Sequence, residues 1–255
     1  MLEIRGLSKN FGGISAVSGL DFVISEGEIA GLIGPNGAGK TTVFNLLTGY
    51  LRPDKGAVWF NGEPITGRKP HSIAKKGIAR TFQDGAVFPK FTVIQNIVAS
   101  HHLQPAFGFW GALFHAPSSR KKEDHISSQA LEIVKFLGLE KVKDRLAGNL
   151  PHGYKRIVSI AIAMATQPRI LLLDEPLSGM NAEEVDRAVA LIRKIRERKG
   201  ITILLIEHNM RAAMSLCQRI IVLGMGRKIA EGTPDEVRTN RVVIEAYLGS
   251  GKNAA

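Results

Sequence analysis

A glycine-rich run that ends in a lysine and two threonines carries the clearest chemistry in this 255-residue sequence. It reads Gly-Pro-Asn-Gly-Ala-Gly-Lys-Thr-Thr over 34–42 and completes the pattern G-x-x-x-x-G-K-[ST] directly after the apolar run 29–33. The glycines let successive backbone N–H groups point at phosphate oxygens, and a helix predicted over 41–51 directs its positive end at the same anion. The run therefore predicts a nucleoside triphosphate site.

Individual residues of this phosphate loop have separate predicted roles. Lys40 is expected to reach the β and γ phosphates, and the Thr41 hydroxyl is expected to bind Mg²⁺. The residues predicted to bind the nucleotide here are Gly34, Asn36, Gly37, Ala38, Gly39, Lys40, Thr41 and Thr42. An ordinary glycine-rich turn is the alternative interpretation, and the strand and helix patterns around the loop make it less favourable.

Two carboxylates follow a second apolar run, 170–173, and are themselves followed by a proline. The carboxyl end of a central strand is where open α/β sheets bind ligands. Asp174 is expected to hold magnesium through its hydration shell, and Glu175 to polarise a water aimed at the γ phosphate. Acids at a strand end are common, so this interpretation depends on their combination with the phosphate loop.

A histidine and a glutamine are predicted to join this site. His208 follows the apolar run 201–206 and is expected at the same sheet edge as Asp174. There it would contact the γ phosphate and hold the attacking water. Gln83 lies where the core passes into a helical region, and we predict that it contacts the metal and the water as a sensor. Without the surrounding motifs, Gln83 would be interpreted as a surface glutamine.

The apolar pattern changes along the chain and predicts three kinds of segment. Runs at 2–4, 16–24 and 58–60 predict strands of an antiparallel layer. Helical spacing from 85 to 165 predicts a separate helical lobe. Later segments predict a strand–helix–strand unit at 170–173, 183–199 and 201–206, a hairpin at 220–223 and 228–231, and short helices over 234–248. The predicted domains are a core of 1–84 with 166–240, a helical lobe of 85–165 and an extension of 241–255.

Net charge, cysteine content and the length of apolar runs limit the class of protein less strictly than the motifs do. The net charge of +11 is compatible with a nucleic acid, an anionic membrane surface or phosphate-rich ligands, but the basic residues are scattered in small groups. Cys217 is the single cysteine, and no secretory signal is recognised at the start, so a reducing cytoplasm is expected. No apolar run approaches the roughly 20 residues of a spanning helix.

Together these motifs resemble the ATP-binding cassette family over nearly the whole chain. Residues 34–42 resemble its Walker A loop, 171–175 its Walker B strand, and 178–181 its D-loop, while Gln83 and His208 match its Q-loop and switch histidine. The resemblance implies an α/β fold, a P-loop NTPase cassette with a mixed sheet core, an antiparallel β subdomain and a helical subdomain. It also implies ATP hydrolysis with Mg²⁺, and adenine stacking on Phe11.

The family's signature motif, usually Leu-Ser-Gly-Gly-Gln, corresponds here to 150–154 and departs from it. Pro151 replaces the serine and removes both a hydroxyl and a backbone N–H. Gly153 is retained and is expected to bind the nucleotide held by an opposite subunit, since the family works as head-to-tail pairs. Asn181 replaces the usual D-loop aspartate. We therefore hypothesise a heterodimer with a second cassette and two unequal ATP sites.

Within the family, the resemblance is to cassette subunits of branched-chain amino-acid importers, through 79–83, 204–210 and 232–249. It implies two membrane permeases, an external solute-binding protein, a peripheral location on the cytoplasmic face of the membrane, and no nucleic acid. The insertion 104–122 contains Phe107, Phe109, Trp110, Leu113 and Phe114, which either dock on a permease or bilayer or pack on the helical lobe. Urea or amide import, lipopolysaccharide export and a nucleic-acid-associated cassette ATPase are the alternatives.

Overall fold

The computed structural model describes residues 1–81, 87–102 and 117–249. Its strands β1 to β10 are Leu2–Phe11, Ile14–Ile24, Ile29–Ile33, Lys55–Phe60, Glu63–Pro64, Ile78–Arg80, Ile170–Asp174, Thr202–Ile206, Arg219–Gly224 and Arg227–Gly232. Its helices α1 to α9 are Lys40–Leu47, Pro70–Ala74, Val93–His102, Pro117–Leu137, His152–Ala165, Ala182–Lys199, Met210–Leu216, Pro234–Thr239 and Arg241–Gly249. Between α4 and α5 lie two short 3-10 turns, Glu140–Val142 and Ala147–Asn149.

An antiparallel sheet forms from the amino-terminal strands, in the order β2-β1-β4-β5. The predicted antiparallel layer is therefore confirmed, although β1 runs to Phe11 rather than ending at Ile4. The pairing register shifts between Ile4 and Leu7, and Gly6 between them has φ of 58°. This irregularity breaks the period-two alternation, which is why the sequence pattern ended early.

A mixed sheet forms the core, in the order β10-β9-β3-β8-β7-β6. The strands from β9 to β6 are parallel to one another, and β10 pairs antiparallel with β9 as the predicted closing hairpin. All residues of β3, β7 and β8 are buried, which explains their continuous apolar sequences. Because these three strands are parallel neighbours, the loops that follow them meet at one edge of the sheet.

The two faces of the mixed sheet are covered by different elements. On one face, Leu32 and Leu204 pack with Phe44 of α1 and Val58 of the antiparallel sheet. On the other face, apolar residues of the sheet pack with the helices α5 to α8 in one continuous cluster. Cys217 follows α7 on this second face, where burial raises the pKa of its thiol to about 12.

In the core, the predicted end of one helix was wrong and strand β6 was missed. The helix after the phosphate loop ends at Leu47, not at 51. Gly49 has φ of 76°, and a Cβ there would lie 2.3 Å from the carbonyl oxygen of Arg68, so the chain turns tightly at this point. Strand β6 was not predicted, because three residues are too few to show a period.

The predicted helical lobe contains α3, α4 and α5, which contact one another. Val93, Ile97, Val134 and Val158 are buried between them. Of the aromatic insertion, the aromatic residues and Leu113 lie outside the described residues, and α4 begins at Pro117. Within the described ranges, no helix is both long and apolar enough to cross a membrane.

Candidate functional site

The phosphate loop connects the buried strand β3 to α1, which begins at Lys40. Two of its glycines are required by both conformation and space. Gly34 has φ of 153°, and a Cβ there would lie 2.3 Å from the carbonyl oxygen of Leu223. Gly39 has φ of 101°, and a Cβ there would lie 2.3 Å from the carbonyl oxygen of Ala16. The sequence motif therefore corresponds to a curled backbone that excludes side chains at these positions.

Lys40 is buried, with its ammonium group held inside the loop. Its Nζ donates hydrogen bonds to the carbonyl oxygens of Gly34 at 2.7 Å and Pro35 at 2.9 Å. Burial lowers the pKa of Lys40, and the negative charges of Glu175 and Asp174 oppose that shift. The lysine and the two carboxylates, far apart in sequence, are thus close enough to interact electrostatically.

Asp174 ends β7 and is buried together with an arginine that the sequence analysis did not single out. Its Oδ2 accepts a hydrogen bond from Nη2 of Arg80 at 2.7 Å, and its backbone N–H donates to Oγ1 of Thr81 at 3.2 Å. Arg80 also donates from Nη1 to Oδ1 of Asn45 at 2.6 Å. The ion pair fixes the carboxylate at the strand end where the sequence predicted a metal ligand.

Glu175 has a left-handed backbone, with φ of 49°, which is uncommon outside glycine. Its N–H donates to the carbonyl oxygen of Ile206 at 3.0 Å, so the adjacent strand β8 supports this conformation. Its Oε1 lies 2.6 Å from Nε2 of His208. The structure therefore brings together two side chains that the sequence analysis had placed on separate strands, and strained backbone of this kind is often found at functional sites.

Glu207 is a buried carboxylate next to His208, and the sequence analysis gave it no role. Its Oε1 accepts the Leu177 N–H at 2.9 Å, and its Oε2 accepts the N–H groups of His208 at 3.2 Å and Asn209 at 3.3 Å. Burial raises the pKa of Glu207, and the three backbone donors oppose this. Glu207 thereby links the loop after β7 to the loop after β8.

The altered signature lies at the start of α5, next to the segment that resembles a D-loop. Pro151 is the N-cap of α5 and provides no side-chain cap. Gly153 is buried, and a Cβ there would lie 2.9 Å from Oε1 of Glu184. Asn181 caps α6 by accepting the Glu184 N–H at 3.0 Å. Because asparagine caps helices as well as aspartate does, this departure from the family pattern keeps the local fold intact.

Two further residues, Gln83 and Phe11, were predicted to belong to the nucleotide site. Gln83 is outside the described residues; the strand before it ends at Arg80. Phe11 ends β1 with 45% of its surface exposed, and Nζ of Lys9 lies 5.6 Å from the ring centroid. Its predicted stacking on adenine stays a prediction.

The carboxyl-terminal helix α9 reaches the phosphate loop, which the sequence did not indicate. Tyr247 is half-buried against the core cluster, and its hydroxyl contacts the backbone of Gly34. Burial raises the pKa of Tyr247, and the contact with Gly34 opposes that shift. The extension is therefore in direct contact with the first glycine of the motif.

An exposed apolar patch lies at the start of the helical lobe and consists of Phe88, Phe91 and Leu146. These side chains are 55%, 43% and 44% exposed. The rings of Phe88 and Phe91 lie 5.3 Å apart, and the buried Asn96 holds their loop by accepting the Phe88 N–H at 2.8 Å. The patch is thus held by a defined hydrogen-bond network immediately after the segment that contains Gln83.

The predicted Mg²⁺ site depends on oxygen donors at Thr41 and Asp174. In the described parts of the chain, no group of three or more histidine, cysteine or acidic residues could form a metal cage. Magnesium bound with a nucleotide needs no such cage, because phosphates and water supply most of its ligands. A threonine hydroxyl at Thr41 and the carboxylate of Asp174 fit that donor set.

Two family models match this chain. One, described as "ABC transporter", matches residues 17–178, and the other, described as "Branched-chain amino acid ATP-binding cassette transporter", matches residues 227–253. The chain is 42% identical over 249 residues to the high-affinity branched-chain amino acid transport ATP-binding protein BraF of Pseudomonas aeruginosa, and 41% identical over 249 residues to LivG of Escherichia coli. Each alignment covers 98% of both chains.

A more distant curated relative and two solved structures agree with these matches. The lipopolysaccharide export ATP-binding protein LptB of Haemophilus influenzae is 32% identical over 249 residues, which cover 98% of this chain and 97% of LptB. An ATP-binding cassette in its ADP conformation superimposes with a TM-score of 0.85 at 31% identity, covering 98% of each chain. A nucleotide-free cassette gives 0.83 at 31% identity, covering 97% of this chain and 98% of the other.

Proposed function

The chain belongs to the ATP-binding cassette transporter family, and from that premise we propose that it is the ATP-hydrolysing subunit of a membrane importer of branched-chain amino acids or related small polar solutes. The observation that carries this proposal is the 41–42% identity, over 249 residues, to two branched-chain amino acid transport ATP-binding proteins. The family match at 227–253 supports the same solute class. Lipopolysaccharide export is less favoured, since the identity to LptB is 32%.

In this proposal, hydrolysis uses the groups that converge after β3, β7 and β8. Lys40 binds the β and γ phosphates of ATP. Glu175 accepts a proton from the water that attacks the γ phosphate, and His208, 2.6 Å away, orients both the water and the carboxylate. The hydrogen bonds that Glu207 makes to the two loops support this arrangement before ATP binds, which reduces the reorganisation that the reaction requires.

Four further residues complete the proposed nucleotide site. Mg²⁺ would be held by Thr41, Asp174 and Gln83, and when bound it neutralises negative charge on the phosphates. Phe11 stacks on the adenine, for which its exposed ring is suitable. The other residues of the phosphate loop contribute backbone N–H groups, as their position at the amino end of α1 favours.

A second cassette subunit is proposed to complete each ATP site in a head-to-tail pair. Gly153 would approach the nucleotide held by the partner. Pro151 has no N–H to donate and α5 has no side-chain cap, so this half-site should stabilise a phosphate weakly. We therefore propose a heterodimer with unequal sites, in which the helical lobe 85–165 moves relative to the core formed by 1–84 and 166–240.

Two permease subunits and an external solute-binding protein are proposed to complete the importer, with this chain on the cytoplasmic face. The patch of Phe88, Phe91 and Leu146 is our proposed permease contact, since exposed aromatic residues on a hydrogen-bonded loop suit a protein interface. The patch follows directly after the segment of Gln83. In this proposal, nucleotide binding is communicated to the membrane subunits through the patch.

Reconstitution tests the proposal. The cassette pair, the permeases and the binding protein are placed in proteoliposomes, and ATP-dependent uptake of labelled leucine, urea and acetamide is measured. Lys40→Ala and Glu175→Gln should abolish uptake, whereas Glu183→Gln, at a side chain that is 81% exposed, should not. Equal leucine uptake by wild type and Lys40→Ala would refute the proposal. Uptake of urea or acetamide alone would reassign the solute.

A further inference from the structure

The guanidinium of Arg80 connects three elements of the nucleotide site. It donates to Asp174 at the end of β7 at 2.7 Å and to Asn45 of α1 at 2.6 Å. Its central carbon lies 5.5 Å from the ring centroid of Phe44, also in α1. The side chains of Arg80 and Asp174 are only 6% and 4% exposed. One buried cation therefore spans the strand that carries the carboxylates and the helix that follows the phosphate loop.

We propose that Arg80 is a positioning residue, which fixes the Asp174 carboxylate for magnesium binding and ties it to the strand that leads to Gln83. The inference rests on the proposed function, because it assumes that Asp174 serves bound Mg²⁺ and ATP. Arg80 itself would touch neither the nucleotide nor the metal. Its effect would pass through Asp174 and through the adjacent Thr81, whose Oγ1 accepts the Asp174 N–H at 3.2 Å.

The buried ion pair between Arg80 and Asp174 is better suited to orienting the carboxylate than to stabilising the fold. Removing two charges from water costs free energy that their attraction only partly offsets, so a buried pair is a poor source of net stability. A charge-assisted hydrogen bond does, however, hold a carboxylate in one direction. Here that bond runs from Nη2 of Arg80 to Oδ2 of Asp174. Loss of such supporting partners typically weakens metal affinity about 10–100-fold.

The geometry also requires arginine rather than a generic cation. Two different nitrogens of one planar group reach Asp174 and Asn45, so the guanidinium holds β7 and α1 in a fixed relationship. A lysine has a single nitrogen on a flexible stem and would not reproduce this fork. Arg80→Lys should therefore keep the charge beside Asp174 and lose part of the positioning.

The test separates metal positioning from general stability. The affinity of the full-length chain for a fluorescent ATP analogue is measured with Mg²⁺ and with EDTA, and the magnesium-dependent gain is the ratio of the two dissociation constants. Arg80→Met should reduce this gain at least about tenfold, with binding in EDTA unchanged, and Arg80→Lys should give an intermediate gain. Arg219→Met is the control, because Arg219, the first residue of β9, forms a different ion pair, with Glu28 at 2.7 Å. It should lower the melting temperature and leave the gain unchanged.

The results distinguish a failure of the positioning role from a failure of the proposed function and from a general loss of stability. An unchanged gain in a folded Arg80→Met variant, or in Arg80→Lys if only that variant folds, would overturn the inference alone. A wild-type chain with no magnesium-dependent gain would overturn both the inference and the proposed function. A reduced gain in Arg219→Met as well would show a general loss of stability, and would also overturn the inference.

Discussion

Nε2 of His208 lies 2.6 Å from Oε1 of Glu175, although 33 positions separate the two residues in the sequence. The contact is possible because β7 and β8 are parallel neighbours, with Asp174 opposite Ile206. The side chain of Glu175 is 14% exposed and that of His208 is 41% exposed, so the histidine is the more accessible of the two. Two residues in such contact should act as a unit.

Glu175→Gln should lower the rate of ATP hydrolysis by about 10²–10⁴-fold with little change in ATP affinity, because it removes the proposed base without changing its shape. Phosphate release by the assembled pair measures the rate, and binding of a fluorescent ATP analogue measures the affinity. Glu183→Gln, on the exposed face of α6, is the control and should retain the wild-type rate. A Glu175→Gln variant with more than half of the wild-type rate would contradict the assignment.

His208→Ala should also slow hydrolysis, and its effect should not add to that of Glu175→Gln. Residues that act through one contact show strongly non-additive effects on rate. The measurement is a double-mutant cycle on the turnover rate at saturating ATP. Rate effects that multiply independently in the double variant would mean that the 2.6 Å contact has no role in catalysis.

Pro151→Ser with His152→Gly should raise the turnover of the assembled pair severalfold. The double change restores a hydroxyl and an N–H where the altered signature would approach the partner's nucleotide, and such donors stabilise the negative charge that develops in the transition state. Serine is also a favourable N-cap for α5, so the helix should persist. Pro151→Ser alone separates the two contributions. A turnover equal to that of the wild-type pair would refute the hypothesis of unequal sites.

Phe88→Ser with Phe91→Ser should weaken binding to permease-containing membranes about tenfold or more and leave ATP binding intact, because large buried aromatic residues often dominate interface energies. Co-sedimentation with proteoliposomes measures the binding. Ile244→Ser is a matched control, since Ile244 of α9 is likewise 43% exposed. Equal losses in the control would show that the effect is not specific to the patch.

Glu207→Gln should destabilise the protein at neutral pH by about 1–3 kcal/mol, since one amide oxygen replaces two oxygens that accept three backbone N–H groups. Burial raises the pKa of Glu207 above its ordinary value of 4.5. The stability that its titration contributes is therefore present below pH 4.5 and is lost as the pH rises through the folded-state pKa.

The difference in unfolding free energy, wild type minus Glu207→Gln, should accordingly be larger in acid than at neutral pH. Urea unfolding at a series of pH values measures this difference. A difference that increases toward neutral pH would show that the three backbone hydrogen bonds outweigh burial, contrary to this prediction.

The core strands were predictable because β3, β7 and β8 are buried on both faces and so appear as unbroken apolar runs. Their following residues could then be assigned to one sheet edge, which the structure bears out for Lys40, Asp174, Glu175 and His208. The family fold and the antiparallel layer also followed from the sequence. The end of α1 did not, because it depends on the close approach of the backbone near Arg68 to Gly49.

The supporting contacts of the site were not predictable in the same way. Arg80 lies 94 positions from Asp174, on a strand of three residues, and nothing in its local sequence identifies a buried cation. Glu207 looks like any acid at a strand end until its backbone donors are known. Tyr247 sits in a terminal helix, and its contact with Gly34 depends on how that helix packs. Each of these roles depends on tertiary contacts rather than on residue spacing.

The enclosed position of Cys217 has a practical consequence. It is the sole thiol of the chain, it is 6% exposed, and its pKa of about 12 leaves almost no thiolate at neutral pH. Maleimide dyes and spin labels should therefore react only with cysteines introduced at chosen surface positions. Distances across a working cassette pair could then be followed by spectroscopy in a chain that keeps its native cysteine.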